Sequence, residues 1–494
     1  MFRPLTSAAG LSVLAGLVAV LISVSRPAAA SEVDLSLARV SPAACAFQVG
    51  PGATCGELSV PENWSLGEPS RRISIMFVRV PARHPKPGRA PIAILTGGPG
   101  VSIFTALGLI AKSPLTEEQD AILIEPRGYG SSTPGLICNG VPDLAACYDR
   151  WKAQGYDLSQ YGVEPAVRDF EALRRALKLG PWDLYGVSFG GFFALTEVRL
   201  YPGGIRSMVL DSPYPPEGSY DSTRAAALNS FGRVFDACKA DPKCNKAYPD
   251  LRARFISGYQ DLNAHPKVFK DRTFDGGAAF QPVYHALYMT PSFRFTPMLA
   301  DALAREDLTA LFKASEVAEA ASTTRFEAPK DYDFRKANAI GLNAQMECAD
   351  DIPFPGNVED SEAFHSPWPK DVVDTIRPEG WDYDKRCAAW PTRPGDPVMN
   401  AVVPSDIPTL ILSGGFDPIV PYRMSETTAL HLSKATVMQD HTAAHVVIAA
   451  SHPCVDRAII RFLADPDKPV DTSCLAAIPA PRWALPAART RGRP

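Results

Sequence analysis

Trp182-Asp183-Leu184-Tyr185-Gly186-Val187-Ser188-Phe189-Gly190-Gly191 decides how the rest of the chain is read. A mostly apolar run reaches a Gly-x-Ser-x-Gly turn, and Phe192-Phe193-Ala194-Leu195 continues it as a helical segment. The order is strand, sharp turn, helix. Such a turn is so tight that the residues flanking the serine must be nearly free of side chain, and glycine tolerates the close approach of strand and helix. The serine is then held in a strained backbone conformation with its hydroxyl pushed out of the turn. Ser188 is the candidate nucleophile, and the rest of the chain must supply a base, an acid and an oxyanion site.

The chain has 494 residues, enough for a large core or for one domain with a long insertion. A net charge of -4 creates no field for a polyanion, so a nucleic-acid partner is not expected. At the N-terminus, Arg3 is followed by the uncharged apolar run 11–24 and by Pro27-Ala28-Ala29-Ala30-Ser31. A basic start, a short apolar stretch and an A-x-A site read as a secretory signal peptide, residues 1–30, cleaved after Ala30. The alternative is an uncleaved membrane anchor. Cleavage leaves a secreted or periplasmic protein with no stable membrane association. Ten cysteines agree with export. They fall as near neighbours, Cys45 and Cys55, Cys138 and Cys147, Cys238 and Cys244, Cys348 and Cys387, Cys454 and Cys474, and sequential pairing is the simplest expectation. No C-x-x-C pair occurs, which argues against zinc or thioredoxin-like chemistry, and no metal or organic cofactor is expected.

Short apolar runs alternate with helical ones. Residues 72–80, Ile92-Ala93-Ile94-Leu95, Ala121-Ile122-Leu123-Ile124 and Ser207-Met208-Val209-Leu210 read as strands, and 164–179 has helical spacing. Wholly apolar strands alternating with helices imply a mostly parallel sheet with helices on both faces. The rhythm breaks at residue 215. Up to residue 404 the chain reads as helices (225–238, 248–262, 298–312) and Pro- and Trp-rich loops, without strands, which suggests a helical cap inserted between core segments 31–214 and 405–475. The tail 476–494, rich in Pro, Ala and Arg, reads as disordered.

In a strand–turn–helix context, Gly-x-Ser-x-Gly is the nucleophile elbow of the α/β-hydrolase fold, whose members order their triad as Ser, acid, His. Asp417 fits the acid: it lies behind a Gly414-Gly415 turn at the end of an apolar strand, with Pro418 after it. The base must follow. His431 and His452 read as surface or capping residues, while His441 and His445 both lie in the loop after the last strand. His445, followed by Val446-Val447-Ile448, is favoured and His441 is the alternative. The N–H of Phe189 and the Gly97-Gly98 turn are placed to supply oxyanion donors.

Four motifs stand together: Gly97-Gly98-Pro99-Gly100, Arg127-Gly128-Tyr129-Gly130-Ser131-Ser132, the elbow, and Asp417-Pro418-Ile419-Val420-Pro421. The set resembles the proline iminopeptidase and tripeptidyl aminopeptidase family. The stretches 462–466 and 471–474 look like the C-terminal region of its secreted branch. The sequence departs in having Thr96 before the glycine turn, Glu125-Pro126 before Arg127, and Ala444 before His445. The resemblance implies an exopeptidase acting on peptides with a free N-terminus. A terminal amine is cationic near neutral pH, with a pKa of about 7.7–8.0, so carboxylates are expected near the cleft. Glu347-Cys348-Ala349-Asp350-Asp351 offers three, and Asp350 matches the glutamate that relatives use for the amine, one methylene shorter. The expectation is a serine aminopeptidase. A carboxylesterase with the same triad is the alternative, and a catalytically silent binding protein the remote one.

Overall fold

Ile92–Leu95 and Ala121–Ile124 are buried along their whole length, which requires cover on both faces of the sheet they join. The computed structural model of the chain describes residues 33–218, 221–354, 368–376 and 382–486. The expected signal peptide, 1–30, lies outside them. Nine strands form one sheet: β1 (Arg39–Ala43), β2 (Thr54–Pro61), β3 (Arg72–Val80), β4 (Ile92–Leu95), β5 (Ala121–Ile124), β6 (Trp182–Val187), β7 (Ile205–Asp211), and after a long insertion β10 (Thr409–Gly414) and β11 (Ala435–Asp440). Their spatial order is β1-β2-β3-β5-β4-β6-β7-β10-β11. The first three are antiparallel, and the six from β5 to β11 run parallel.

The order reverses at β4, which pairs with β5 on one side and β6 on the other. In open parallel sheets the crevice outside the carboxyl ends of the strands at such a switch point is where ligands bind. The Gly97-Gly98 turn follows β4 and Ser188 follows β6, so both candidate motifs stand at that crevice. Between strands the chain forms α1 (Leu107–Lys112), α2 (Leu144–Ala153), α3 (Val163–Ala176) and α4 (Gly190–Leu200), with α14 (Tyr422–Leu430) and α15 (Pro453–Ala464) after the insertion. Arg127, from the third motif, is fully buried and grips Asp169 of α3 through two nitrogens at 2.6 and 2.7 Å. That ion pair ties the exit of β5 to α3.

The insertion has two parts. Helices α5 (Asp221–Ala240), α6 (Pro242–Ala247), α7 (Leu251–Ala264), α8 (Gly276–Tyr288), α9 (Thr296–Ala304) and α10 (Leu308–Phe326) enclose a separate aromatic-rich core around Phe231, Phe255 and Phe280. It also contains a small antiparallel hairpin, β8 (Lys267–Phe269) with β9 (Arg272–Phe274), where only helices were expected. Then α11 (Ile340–Met346), α12 (Lys370–Thr375) and α13 (Tyr383–Ala389) follow. Leu342, Met346 and Trp390 join the main core, so α11 and α13 belong in packing to the core, whereas Val372 of α12 packs into the cap's aromatic core.

All five cysteine pairs close as sequential neighbours, 45–55, 138–147, 238–244, 348–387 and 454–474. Five disulfides indicate an extracellular or periplasmic protein. No helix among the described residues is long and apolar enough to cross a membrane. The expected disordered tail needs correction over 476–486. Ile478 is buried, and Trp483 packs edge-on to Phe293 and Phe416 at 5.7 and 5.9 Å, because two large apolar side chains there find a surface to cover.

Candidate active site

Ser188 has φ 56°, the left-handed region that a non-glycine residue enters only at a cost of about 1–3 kcal/mol. Its N–H bonds to Asp211 O at 3.0 Å, while its carbonyl accepts the N–H of Gly191 at 2.8 Å and of Tyr214 at 2.9 Å. These bonds hold the strained residue in place between β6 and α4. A Cβ on Gly190 would lie 2.3 Å from the carbonyl oxygen of Leu95, so only glycine lets α4 start this close to β4. A Cβ on Gly97 would stand 2.7 Å from Ser188 Cβ, which puts the glycine turn directly against the serine. Phe189 opens α4 in a helical conformation, with its N–H in the first turn, where the helix dipole favours negative charge.

Asp417 is fully buried beyond the end of β10. Its Oδ1 accepts the N–H groups of Ile419 and Val420, both at 2.9 Å, and its Oδ2 lies 2.8 Å from Nδ1 of His445. With Nδ1–H given to the carboxylate, the other ring nitrogen carries the lone pair. That Nε2 is buried and has no hydrogen-bond partner among the described residues. His445, Ser188, Gly97 and Gly98 line a single cavity of about 420 Å³. His441 faces the other way, with Nε2 3.2 Å from the carbonyl of Ile478. Of the two candidate bases, the structure brings His445 to Asp417. His452 sits at the N-cap position of α15 and pairs through Nδ1 with Asp440, the last residue of β11; this bond raises the pKa of the imidazole.

Two residues that local sequence did not single out hold the histidine loop. Asp211, at the end of β7, accepts the N–H of Val447 at 2.7 Å and of Ile448 at 3.0 Å, and Tyr185 Oη donates to it at 2.9 Å. Between His445 and those bonds, Val446 is forced to φ 65°, a costly conformation for a β-branched residue. From the cap, Thr290 Oγ1 donates to the carbonyl of His445 at 2.9 Å and accepts the N–H of Ala444 at 3.0 Å. The N–H of Thr290 also bonds to His445 O, and the N–H of His445 to Tyr288 O, both at 3.1 Å. The Tyr288 ring meets the imidazole edge-on at 5.0 Å. A strand-end aspartate was the only available signal for Asp211; Thr290 had none.

The three cap carboxylates differ from the expectation that they face the cleft together. Asp350 Oδ2 accepts the N–H of Val163 at 2.9 Å and so caps the start of α3, whose own N-cap residue, Gly162, has no side chain to do it. Burial pushes the Asp350 carboxyl up to about 7. Asp351 accepts Tyr214 Oη at 3.0 Å. Glu347 pairs with Arg386 Nε at 2.9 Å and accepts Asn343 Nδ2 at 2.9 Å. None of the three lines the cavity beside Ser188. Asn343, which donates to Glu347, is the residue beside the glycine turn: a Cβ on Gly100 would lie 3.3 Å from Asn343 Cβ.

The profile of the alpha/beta hydrolase fold family matches residues 90–449. The chain belongs to the α/β-hydrolase family. Among its relatives in that fold, the serine protease Hip1 of Mycobacterium tuberculosis is 23% identical over 460 residues, covering 83% of this chain and 85% of that one. Carboxylesterase B of M. tuberculosis is 22% identical over 474 residues, 84% of each chain. A proline iminopeptidase of Aeromonas sobria is 35% identical over 153 residues, 30% of this chain and 33% of that one. An α/β-hydrolase with relatives of these names is a hydrolase, and serine chemistry fits its elbow.

Proposed function

We propose that this α/β-hydrolase is an exported serine exopeptidase, an aminopeptidase of prolyl or tripeptidyl type that cuts a peptide bond near a free N-terminus. The observation that carries the chemistry is the 2.8 Å bond from His445 Nδ1 to buried Asp417, which leaves Nε2 without a partner among the described residues on a histidine that lines the same cavity as Ser188.

Ser188 Oγ attacks the carbonyl carbon, a C–O bond forms, and the hydroxyl proton passes to His445 Nε2. Asp417 keeps the imidazole in the right tautomer and stabilises its cation. Negative charge gathers on the carbonyl oxygen, against the N–H of Phe189 and the Gly97-Gly98 turn. One such donor contributes about 3 kcal/mol to the transition state. The C–N bond then breaks, His445 hands its proton to the departing amine, and water repeats the sequence on the acyl-enzyme. Glu347, paired with Arg386 and bonded to Asn343, reaches the glycine turn only through that asparagine. Relatives named serine protease and proline iminopeptidase favour peptides. The carboxylesterase reading keeps one observation of its own: Glu347, Asp350 and Asp351 are all engaged inside the protein.

Paired assays test the proposal. A fluorophosphonate probe should label the wild type and not Ser188→Ala. A peptide coumarylamide with a free N-terminus should be cleaved and its acetylated twin left intact. Turnover of simple esters with no cleavage of any free-amine peptide would replace the peptidase by the esterase.

A further inference from the structure

The cavity beside Ser188 is chemically one-sided. Beyond the glycine turn and the histidine its wall includes Ile103, Leu109, Ile110, Val187, Phe326 and Ile448, and among the described residues no Asp, Glu, Lys or Arg lines it. Four hydroxyls on its surface are turned into the protein. Thr96 Oγ1 donates to Val101 O at 2.7 Å, Ser102 Oγ to Glu125 at 2.8 Å, Thr105 Oγ1 to Ser102 O at 2.8 Å, and Tyr185 Oη to Asp211 at 2.9 Å. Ser322 Oγ, buried and without a hydrogen-bond partner among the described residues, is a polar exception.

We infer that this cavity is the subsite for a large, uncharged apolar group carried on the scissile carbonyl. The inference rests on the serine-hydrolase reading above. Its volume, about 420 Å³, lies in the range of whole ligand sites, and a lone pyrrolidine ring would leave most of it empty. A cationic amine does not belong in it, because an unpaired charge is expelled from such surroundings. The group that fits is a medium-length acyl chain or a bulky aliphatic or aromatic side chain. The floor of the cavity, Tyr185 and Val187, belongs to the strand that leads into Ser188. That position beneath the nucleophile suits the half of the substrate that stays bonded to Ser188 in the acyl-enzyme.

The test holds the leaving group fixed and varies the acyl group. With p-nitrophenyl esters from acetate to decanoate, kcat/KM should climb at least tenfold to an optimum near octanoate, the limit being about fourfold per buried methylene. Ala106→Phe and Ala328→Phe, on two separate wall segments, should each move the optimum to a shorter chain, with rates normalised to the Ser188 sites titrated by fluorophosphonate. Among free-amine coumarylamides, Phe or Leu at the cut should exceed Lys or Glu at least tenfold. A flat ester profile, an optimum that neither filling variant moves, or a preference for charged residues at the cut overturns the inference. Failure of the underlying reading looks different: activity would survive Ser188→Ala. A rising ester series without peptide cleavage keeps the apolar subsite and removes only the peptidase.

Discussion

Ser188, Asp417 and the Gly97-Gly98 turn stand at the carboxyl ends of β6, β10 and β4, whereas Tyr288 and Met289 reach the cavity, and Thr290 the histidine loop, from the end of a cap helix. The first group is positioned by sheet topology: a parallel strand must end somewhere, and its last residues face the crevice whatever the rest of the chain does. The second is positioned by tertiary contact alone. The core half of the site is therefore where chemistry resides, and the cap half is where geometry and selectivity are adjusted. Substitutions should sort by that division.

The largest effects belong to the core. Ser188→Ala should lower kcat by about a millionfold, as loss of the nucleophile does in other serine hydrolases, and leave the melting temperature unchanged. Asp417→Asn keeps the shape but offers Nδ1 the wrong partner, and should cost about ten-thousandfold in kcat. Single-turnover acylation by an activated ester measures both. A core variant that changed KM and spared kcat would break the comparison.

The cap should act more gently. Thr290→Val removes the hydroxyl that spans Ala444 and His445 and leaves one buried N–H unpaired. A misplaced base of this kind should lower kcat about tenfold to hundredfold with little change in KM, and Thr290→Ser should restore it. Equal loss in the Ser and Val variants would mean that the methyl packing, not the hydroxyl, holds the loop.

The same division explains what could be read from the residues. The elbow, the parallel sheet and Asp417 were legible because each depends on a local pattern: an apolar run, a glycine that admits a close backbone, a strand end. His445 could be favoured over His441 but not chosen outright, since both lie within one short turn; the path of that turn over Gly415, where a Cβ would lie 2.8 Å from His441 Cα, sends one ring to Asp417 and the other to Ile478. Residues 476–486 have the composition of a free tail, yet Tyr248 Oη donates to the carbonyl of Ala484 at 2.9 Å and Trp483 is buried. Composition counts polar and proline residues, but one tryptophan with a surface to cover decides the outcome.

Asp350 gives the sharpest contrast, because an acidic motif that reads as a substrate contact is committed to a helix start 187 positions away in sequence. Asp350→Ala strands the N–H of Val163 and should destabilise the fold by about 1–3 kcal/mol. The folded fraction should show kcat and KM for a free-amine peptide within twofold of wild type; a raised KM confined to free-amine substrates would return Asp350 to the amine. Its pH behaviour supplies an independent check. The native carboxyl, at about 7 against an ordinary value of 3.8, binds its proton more tightly than the unfolded chain does. The stability it contributes is complete below about pH 4 and is lost as pH rises through 7. Asp350→Asn still offers the N–H an oxygen and has no proton to lose, so it should flatten the fall in melting temperature between pH 5 and 8. Glu125, raised by burial to about 7, and Glu197, to about 8, have the same sign and remain in the variant. The slope should therefore shrink rather than vanish. An unchanged slope would mean that ionised Asp350 is accommodated at the helix start, where the dipole of α3 offsets its burial.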